Sequence, residues 1–179
     1  MAADAPFVKE YDCFLSEFFA PLLQKAQHCG QDVDNIVKQL SVANAAQRKM
    51  LVIASKCKKP DDKTLQTLVA PISEELGKAE SLRDRRSKNF NHLSMVAEGA
   101  VCLQWVCVDK TPASWMGDVI PGSEMYGNKV IMEFKGKDET HVAFAKEFKT
   151  FLLELQKYVK AHHATGLSWN PKGGAGYPP

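Results

Sequence analysis

The sequence has almost no net charge and no long hydrophobic run. Its 179 residues carry 23 Lys and Arg against 21 Asp and Glu, a formal net charge of +2. A balanced surface of this kind lacks the broad cationic footprint that binds nucleic acid and other polyanions. The longest apolar stretch, residues 95–108, is interrupted by Glu98 and Gln104 and is too short to cross a bilayer. The first ten residues lack a basic segment followed by an apolar one, so we expect no secretory signal.

The cysteines show no spacing pattern that predicts disulfide bonds. The chain has five cysteines, an odd number, and none of them forms a Cys-x-x-Cys motif. This usage predicts buried, reduced thiols in a cytosolic protein rather than a disulfide framework. We expect all five to react slowly while the protein is folded, with Cys102 and Cys107 the slowest because they fall in the most apolar segment.

Motifs for catalysis and metal binding are also missing. The sequence has no Gly-x-x-x-x-Gly-Lys phosphate loop, no Gly-x-Ser-x-Gly elbow and no Glu-x-x-His pair for a di-iron site. His162 and His163 are adjacent and point in different directions, which makes a poor chelate. The remaining histidines, His28, His92 and His141, are scattered along the chain and are expected near helix ends. The sequence therefore predicts a protein that is not an enzyme and that has no cofactor and no metal site.

What the sequence does contain is helical periodicity along almost its whole length. Apolar residues recur every three or four positions, and the alternation typical of strands is absent. Residues 90–108 are apolar on nearly every face, which predicts one helix in the centre of a bundle. The fold class that follows is all-α, an antiparallel bundle of about six helices in a single domain. The predicted organisation is a disordered tail at residues 1–6, a bundle at 7–170 and the start of a Gly/Pro-rich linker at 171–179.

Capping residues and prolines divide this pattern into separate helices. Asp61 and Asp138 are placed to cap helix N-termini, and Thr111-Pro112 fits an N-cap followed by the first helical residue. Prolines are expected to interrupt helices because they lack the backbone donor. We therefore expect a kink or restart at Pro21, a second helical part from Pro71, and a break at Pro121-Gly122.

The candidate functional residues lie in two basic clusters and one aromatic side chain. The plain interpretation is a solvated corner for the cluster at residues 83–88, and charges that serve the helix dipole for the lysine cluster at residues 56–59. The functional interpretation is a surface for an acidic protein partner. Trp169 lies among glycines, so it either packs back on the bundle or anchors a partner, and the two roles are compatible. The candidate partner-binding residues are Arg83, Arg85, Arg86, Lys88, Asn91 and His92 at one junction, Lys56, Lys58 and Lys59 at another, and Trp169.

Seven short motifs occur in an order that resembles one known family. They are Phe7-Val-Lys-Glu-Tyr-Asp, Ala54-Ser-Lys-Cys-Lys-Lys-Pro, Ala70-Pro-Ile-Ser-Glu, Ser87-Lys-Asn-Phe-Asn-His-Leu-Ser, Trp105-Val, His141-Val and His162-His-Ala-Thr-Gly-Leu-Ser-Trp-Asn. Together they resemble the helical folded domain of the cyclase-associated proteins, from about Phe7 to Gly174. The break expected at Pro121-Gly122 is a departure from that family pattern, and so is Gly127.

The resemblance implies a six-helix module that works with cofilin. Such a domain binds the pointed end of cofilin-decorated actin filaments and speeds the release of subunits, in the cytoplasm and on the cytoskeleton. The resemblance also implies that residues 165–169 close over the bundle as a strap. Because residues 171–179 resemble the start of the family's proline-rich linker, removing everything after Lys172 is expected to cost almost no stability. The family's cyclase-binding coiled coil, profilin-binding and nucleotide-exchange segments have no counterpart in these residues.

Two other interpretations stay open on the residues alone. One is a basic bundle that docks on acidic membrane lipids through Arg83, Arg85, Arg86 and Lys88, which predicts steep salt sensitivity and no effect on actin. The other is a purely structural oligomerisation module that forms dimers without another partner. A homodimer is compatible with the actin interpretation as well.

Overall fold

The computed structural model describes residues 4–177, which form six helical rods. Within this part of the chain there is no β-strand, and only Cys57 and Gly174 form an isolated bridge. None of the helices in these residues is long and apolar enough to span a membrane. The predicted all-α bundle of about six helices is therefore confirmed.

The six rods follow one another with short connections. The first rod is continuous and consists of α1 (Pro6–Phe14), a π-helical turn (Leu15–Phe19) and α2 (Ala20–Cys29). The fourth rod begins as α5 and ends as a 3₁₀ helix. The remaining bounds are α3 (Gln31–Lys56), α4 (Asp62–Ser81), α5 (Phe90–Ala100), the 3₁₀ helix (Val101–Cys107), α6 (Pro112–Phe134) and α7 (Glu139–His162).

Up-and-down connectivity places the connections between rods at the two ends of the bundle. Rods adjacent in sequence pack against each other, and α7 packs back on α2 to close the structure. Because short connections make neighbouring rods antiparallel, alternate connections lie at the same end. We call one end the junction end, formed by residues 30, 82–89 and 135–138. The opposite end, formed by residues 57–61, 108–111 and 163–177, is the strap end.

The fourth rod lies in the centre, as its apolar sequence predicts. Eight of the eleven residues of α5 are buried. A Cβ at Gly99 would lie 2.6 Å from the Phe148 ring, so only glycine lets α5 approach α7 this closely. The single helix expected over residues 90–108 is wrong in its second half, which is a 3₁₀ helix. There the buried Gln47 side chain accepts a hydrogen bond from Trp105 Nε1 (3.0 Å) and donates one to the Leu103 carbonyl (2.7 Å).

The breaks expected at Pro71 and Pro121 are wrong, because both prolines lie inside continuous helices. Tertiary contacts on both sides of each proline favour the helical path over the lost hydrogen bond. Ile120 and Ser123 are both buried, and the Ser123 hydroxyl donates to the Met95 carbonyl at 2.7 Å. Pro21 is the second residue of α2, which follows the π-helical turn, so the expected kink corresponds to a change of helix type.

The predicted helix starts are confirmed. The Asp61 side chain accepts a hydrogen bond from Thr64 N (2.8 Å), and Asp138 accepts one from Thr140 N (3.1 Å). Thr111 is the N-cap of α6 and Pro112 its first residue, as expected. Thr111 has a left-handed backbone (φ 41°) and makes no side-chain cap, so proline and the backbone define this start.

The two termini are more ordered than the sequence suggests, within the residues described. Asp4 forms an ion pair with Arg48 (2.9 Å), and α1 begins at Pro6. At the other terminus the Gly174 carbonyl accepts a hydrogen bond from Lys58 N at 3.1 Å. Residues 1–3 of the predicted tail and 178–179 of the predicted linker lie outside the described residues.

The cysteines are all free, but their predicted burial is only partly correct. Cys29, Cys57 and Cys102 are buried, whereas Cys13 and Cys107 are exposed. The error at Cys107 has the same origin as the error in the helix. The change to a 3₁₀ helix places the last residue of the rod on the outside, next to Val108 and the solvent-exposed Asp109.

We predict that two thiols react with a bulky reagent in the native state and three only after unfolding. Burial raises the pKa of Cys29 and of Cys102 to about 12, which keeps both as unreactive thiols as well as shielding them. Titration with a chromogenic disulfide reagent followed by mass spectrometry measures the count. Cys13→Ser and Cys107→Ser should each remove one reactive thiol. Native reaction of Cys102 would contradict the placement of the central rod.

Candidate functional site

The first basic cluster, Arg83 to Lys88, connects α4 to α5 at the junction end. Arg83 is the best anchored residue in it, since its side chain is only 16% exposed. Its guanidinium donates to Glu98 Oε1 (2.9 Å) and Ser94 Oγ (3.0 Å) and lies over the Tyr126 ring at 5.2 Å. Ion pairing, hydrogen bonding and cation–π contact together hold the residue against α5 and α6. Arg83 therefore has a structural role and does not belong to the predicted partner-binding surface.

The rest of this junction is fixed to the start of α3. The Ser87 hydroxyl donates to Asp32, and the Asn89 amide donates to the same carboxylate at 2.9 Å. Partial burial acts to raise the pKa of Asp32, but these hydrogen bonds outweigh it and hold the pKa below its usual value. Asp32 therefore stays ionised, and it fixes the connection onto the neighbouring helix.

What remains for a partner is a smaller set than the sequence suggests. Arg85, Arg86 and Lys88 are exposed, and Asn91 is half-buried beside them. His92 is completely buried and cannot touch a partner in this conformation. We use the name "junction cations" for Arg85, Arg86 and Lys88.

The second basic cluster lies at the strap end. Lys56, Lys58 and Lys59 are all exposed, so the structure brings these three predicted residues together as the sequence expects. Their backbone is engaged by the chain's C-terminal segment, because the Tyr177 hydroxyl donates to the Lys58 carbonyl. We call these three residues the strap lysines.

Trp169 belongs to a strap, residues 163–177, that closes the end of α3. Asn170 N donates to the carbonyls of Ala54 (3.0 Å) and Cys57 (2.9 Å), and its side-chain amide donates to the Ser55 carbonyl (3.1 Å). Ala54 and Ser55 belong to the last turn of α3 and Cys57 is its C-cap, so no helical donor reaches these carbonyls. Trp169 itself is half-buried and packs against the hydrophobic core. The tail-packing interpretation of Trp169 is thus confirmed, and part of its ring remains accessible.

The buried His163 positions this strap. Its Nδ1 accepts a hydrogen bond from Ser168 N (3.1 Å), and its ring lies 4.9 Å from that of Trp105. Burial, together with the neighbouring His162, lowers the pKa of His163 to about 3, so the ring is neutral at physiological pH. A neutral ring is what the contact requires, because Nδ1 must accept a hydrogen bond.

The two sets of cations are at opposite ends of α3. Asp32, which holds the junction, and Lys56 are separated by about 36 Å at 1.5 Å per helical residue. The structure therefore does not bring the candidate residues into one site. It presents two cationic surfaces on one rigid body.

A third cluster, at the junction end, contains none of the predicted candidate residues except His92. His28 and Asp138 are 2.8 Å apart, and His92 Nε2 lies 2.8 Å from His141 Nδ1. His28 lies in the last turn of α2, while His92 and His141 each occupy the first turn of a helix. These positions could have predicted the cluster, since up-and-down topology places the end of α2 beside the starts of α5 and α7. Reading the histidines as scattered ignored that topology.

This bundle and its connections match a known family. Residues 11–167 match the family described as CAP, N-terminal domain. The chain belongs to this family.

Relatives and solved structures agree with that assignment. The chain is 36% identical over 169 residues to the adenylyl cyclase-associated protein of Dictyostelium discoideum and 34% identical over 174 residues to human adenylyl cyclase-associated protein 1. These alignments cover 93% and 96% of this chain but only 36% and 37% of those proteins, so the chain spans about a third of the length of its relatives.

Two solved structures of CAP N-terminal domains have the same fold. One, described as indicating variable oligomerisation, superposes with a TM-score of 0.92 at 34% identity and covers 98% of this chain and 97% of its own. The other, from Dictyostelium discoideum, gives 0.90 at 35% identity and covers 93% and 96%. The interrupted α6 expected as a departure from the family is absent, since α6 is continuous.

We predict that substitution of Arg83 destabilises the protein, whereas substitution of its exposed neighbours does not. Arg83→Ala should lower the free energy of unfolding by about 2 kcal/mol, because it removes charged hydrogen bonds from Glu98 and Ser94. Arg85→Ala and Arg86→Ala should change it by less than about 0.5 kcal/mol, as for exposed charges. Urea unfolding of the three variants measures the difference. Equal values for all three would contradict the anchoring role of Arg83.

We predict that the strap is part of the folded unit. Trp169→Ala should cost about 2 kcal/mol, less than the ~3–5 kcal/mol of a fully buried aromatic, because the side chain is half-buried. Truncation after Lys172 should cost about 1–2 kcal/mol, because it removes the hydrogen bonds of Lys58 N to Gly174 and of the Tyr177 hydroxyl to the Lys58 carbonyl, which revises the expectation of no cost. Urea unfolding measures both, with the exposed Lys172→Ala as the matched control. An unchanged midpoint for Trp169→Ala would show that the ring only rests on the surface.

Proposed function

We propose that the chain is a non-enzymatic, actin-regulatory module that acts with cofilin at filament pointed ends and promotes subunit release and recycling. Membership of the CAP N-terminal domain family over residues 11–167 carries this proposal. The relatives are named for association with adenylyl cyclase, and the resemblance in the motifs adds actin and cofilin as partners. The proposed location is the cytoplasm and the actin cytoskeleton.

The exposed cations supply the contact chemistry of this proposal. Net charge is too small to steer association over long distances, so local clusters must provide complementarity to acidic partners. The junction cations and the strap lysines are the two clusters that the fold presents. We assign the main acidic contact to the junction cations, Arg85, Arg86 and Lys88, with half-buried Asn91 beside them.

A binding module can accelerate disassembly only through differential affinity. It must bind the terminal subunits more tightly in a loosened arrangement than in the intact filament end, and each tenfold difference corresponds to about 1.4 kcal/mol. Two rigidly separated cationic ends suit this task. A body that contacts two neighbours about 36 Å apart can favour one spacing of those neighbours over another.

We predict that charge reversal at the junction end abolishes most of this activity without unfolding the protein. The variant Arg85→Glu/Arg86→Glu/Lys88→Glu leaves the anchoring Arg83 in place, so thermal unfolding should change little. Its cofilin-dependent depolymerisation at pointed ends, watched filament by filament, should fall at least about tenfold. Raising salt should weaken the wild type in the same direction, since exposed charges are screened.

The matched control is Lys56→Glu/Lys58→Glu/Lys59→Glu at the strap end, which makes the same charge change. Light scattering on all samples checks that oligomeric state is unchanged. If the junction variant depolymerises filaments at the wild-type rate and the strap variant does not, the assigned end is wrong. If the wild type has no effect on actin and floats with acidic liposomes, the membrane interpretation replaces the proposed function.

A further inference from the structure

Two helix ends at the junction end bring three metal-ligating side chains to one place. His28 comes from the last turn of α2, Asp138 is the N-cap of α7, and His141 is on the first turn of α7. We propose that His28, Asp138 and His141 bind a divalent transition-metal ion of the zinc class. The family's cytoskeletal role plays no part in this inference.

The distances between the three ligand atoms fit a shared ion. His28 Nε2 lies 2.8 Å from Asp138 Oδ2, and His141 Nε2 lies 3.7 Å from the same oxygen. All three candidate atoms lie within 4.8 Å of one another. Bond lengths of about 2.0–2.1 Å in a tetrahedral zinc site place ligand atoms about 3.3 Å apart. The observed spacing brackets that value, and the exposed His28 side chain has room to adjust.

The ring of His141 is held as a metal ligand requires. Its second nitrogen, Nδ1, is 2.8 Å from His92 Nε2, and His92 is completely buried. When Nδ1–H donates to His92, the lone pair of Nε2 faces the Asp138 carboxylate. Phe134 stacks on the His141 ring at 3.8 Å and limits its rotation. Ligating histidines in metal sites are fixed by such outer contacts, whose loss weakens binding by roughly 10–100-fold.

Exposure and ligand type indicate which ion fits. The His28 and Asp138 side chains are 50% and 37% exposed, whereas His141 is 9% exposed, so water can complete the coordination shell. Two imidazole nitrogens favour zinc, copper or nickel over calcium and magnesium, which prefer oxygen ligands. Among nearby charges, Glu133 favours a cation at His141 and Lys88 opposes it.

A second arrangement shares His141 but is less suitable. Cys29, His92 and His141 also place three ligand atoms within 4.8 Å, all of them buried. Desolvation raises the pKa of Cys29 to about 12 and lowers that of His92 to about 4. An ion there would have to displace a thiol proton and enter without water ligands. The outward-facing set needs neither step.

The test is titration with Zn²⁺ and Co²⁺ of the wild type and matched variants. Calorimetry gives the Zn²⁺ affinity, and the visible d–d bands of Co²⁺ report coordination. His28→Ala and Asp138→Asn should each weaken binding by more than about tenfold, since direct ligands matter at least as much as outer contacts. Asparagine retains the N-cap of α7, so that variant removes the charge and keeps the helix start. His162→Ala, a half-buried histidine outside the cluster, should bind like the wild type.

The outcomes separate the proposal from its alternatives. Saturable binding near one ion per chain that is lost in His28→Ala and kept in His162→Ala supports the proposal. Absence of saturable binding by the wild type overturns it. So does binding that survives His28→Ala but is lost in Cys29→Ser, with sulfur-to-cobalt charge-transfer bands, because the buried trio would then hold the ion. Metal-free unfolding curves of each variant show whether any loss reflects misfolding.

Discussion

The buried amide of Gln47 is the contact on which the strap end of the bundle depends. Its oxygen accepts hydrogen bonds from Trp105 Nε1 at 3.0 Å and from the Tyr11 hydroxyl at 3.2 Å, and its nitrogen donates to the Leu103 carbonyl at 2.7 Å. One fully buried side chain thereby fixes the first rod, α3 and the 3₁₀ helix in one arrangement. Each buried group left without such a partner costs about 1–3 kcal/mol, so the three segments cannot shift independently. The Trp105 ring then lies against His163, which holds the strap.

Because the topology is up-and-down, α3 runs from one end of the molecule to the other and is held by tertiary contacts at each end. The strap satisfies the last carbonyls of α3, and Asp32 at the first turn of α3 receives hydrogen bonds from Ser87 and Asn89. The same helix is therefore tied down at each end by a segment remote in sequence. Each of those segments lies beside exposed cations. The helix acts as a spacer of fixed length, and the two cationic surfaces differ in what supports them.

Local sequence rules predicted the parts of this structure that depend on local physics. Capping at Asp61 and the apolar central rod followed from side-chain chemistry and periodicity, and the order of motifs identified the family. The rules failed where distant contacts decide: Pro121 stays helical because Ile120 and Ser123 beside it are buried and the Ser123 hydroxyl donates to a carbonyl of another rod. In the candidate site, sequence located both clusters. It could not tell anchored Arg83 from exposed Arg85, because two residues in one turn face opposite surroundings.

The anchoring of Arg83 favours the use of the junction cations as the recognition surface proposed for them. A flexible loop of cations would lose backbone freedom on binding, at roughly 1–2 kcal/mol for each residue that becomes fixed. Here Arg83 and Ser87 hold the backbone at two points within the run, through Glu98 and Asp32. The segment between them has little freedom left to lose. The interior-facing residues of the junction thus lower the entropic cost of binding, while its exposed residues remain free to meet an acidic partner.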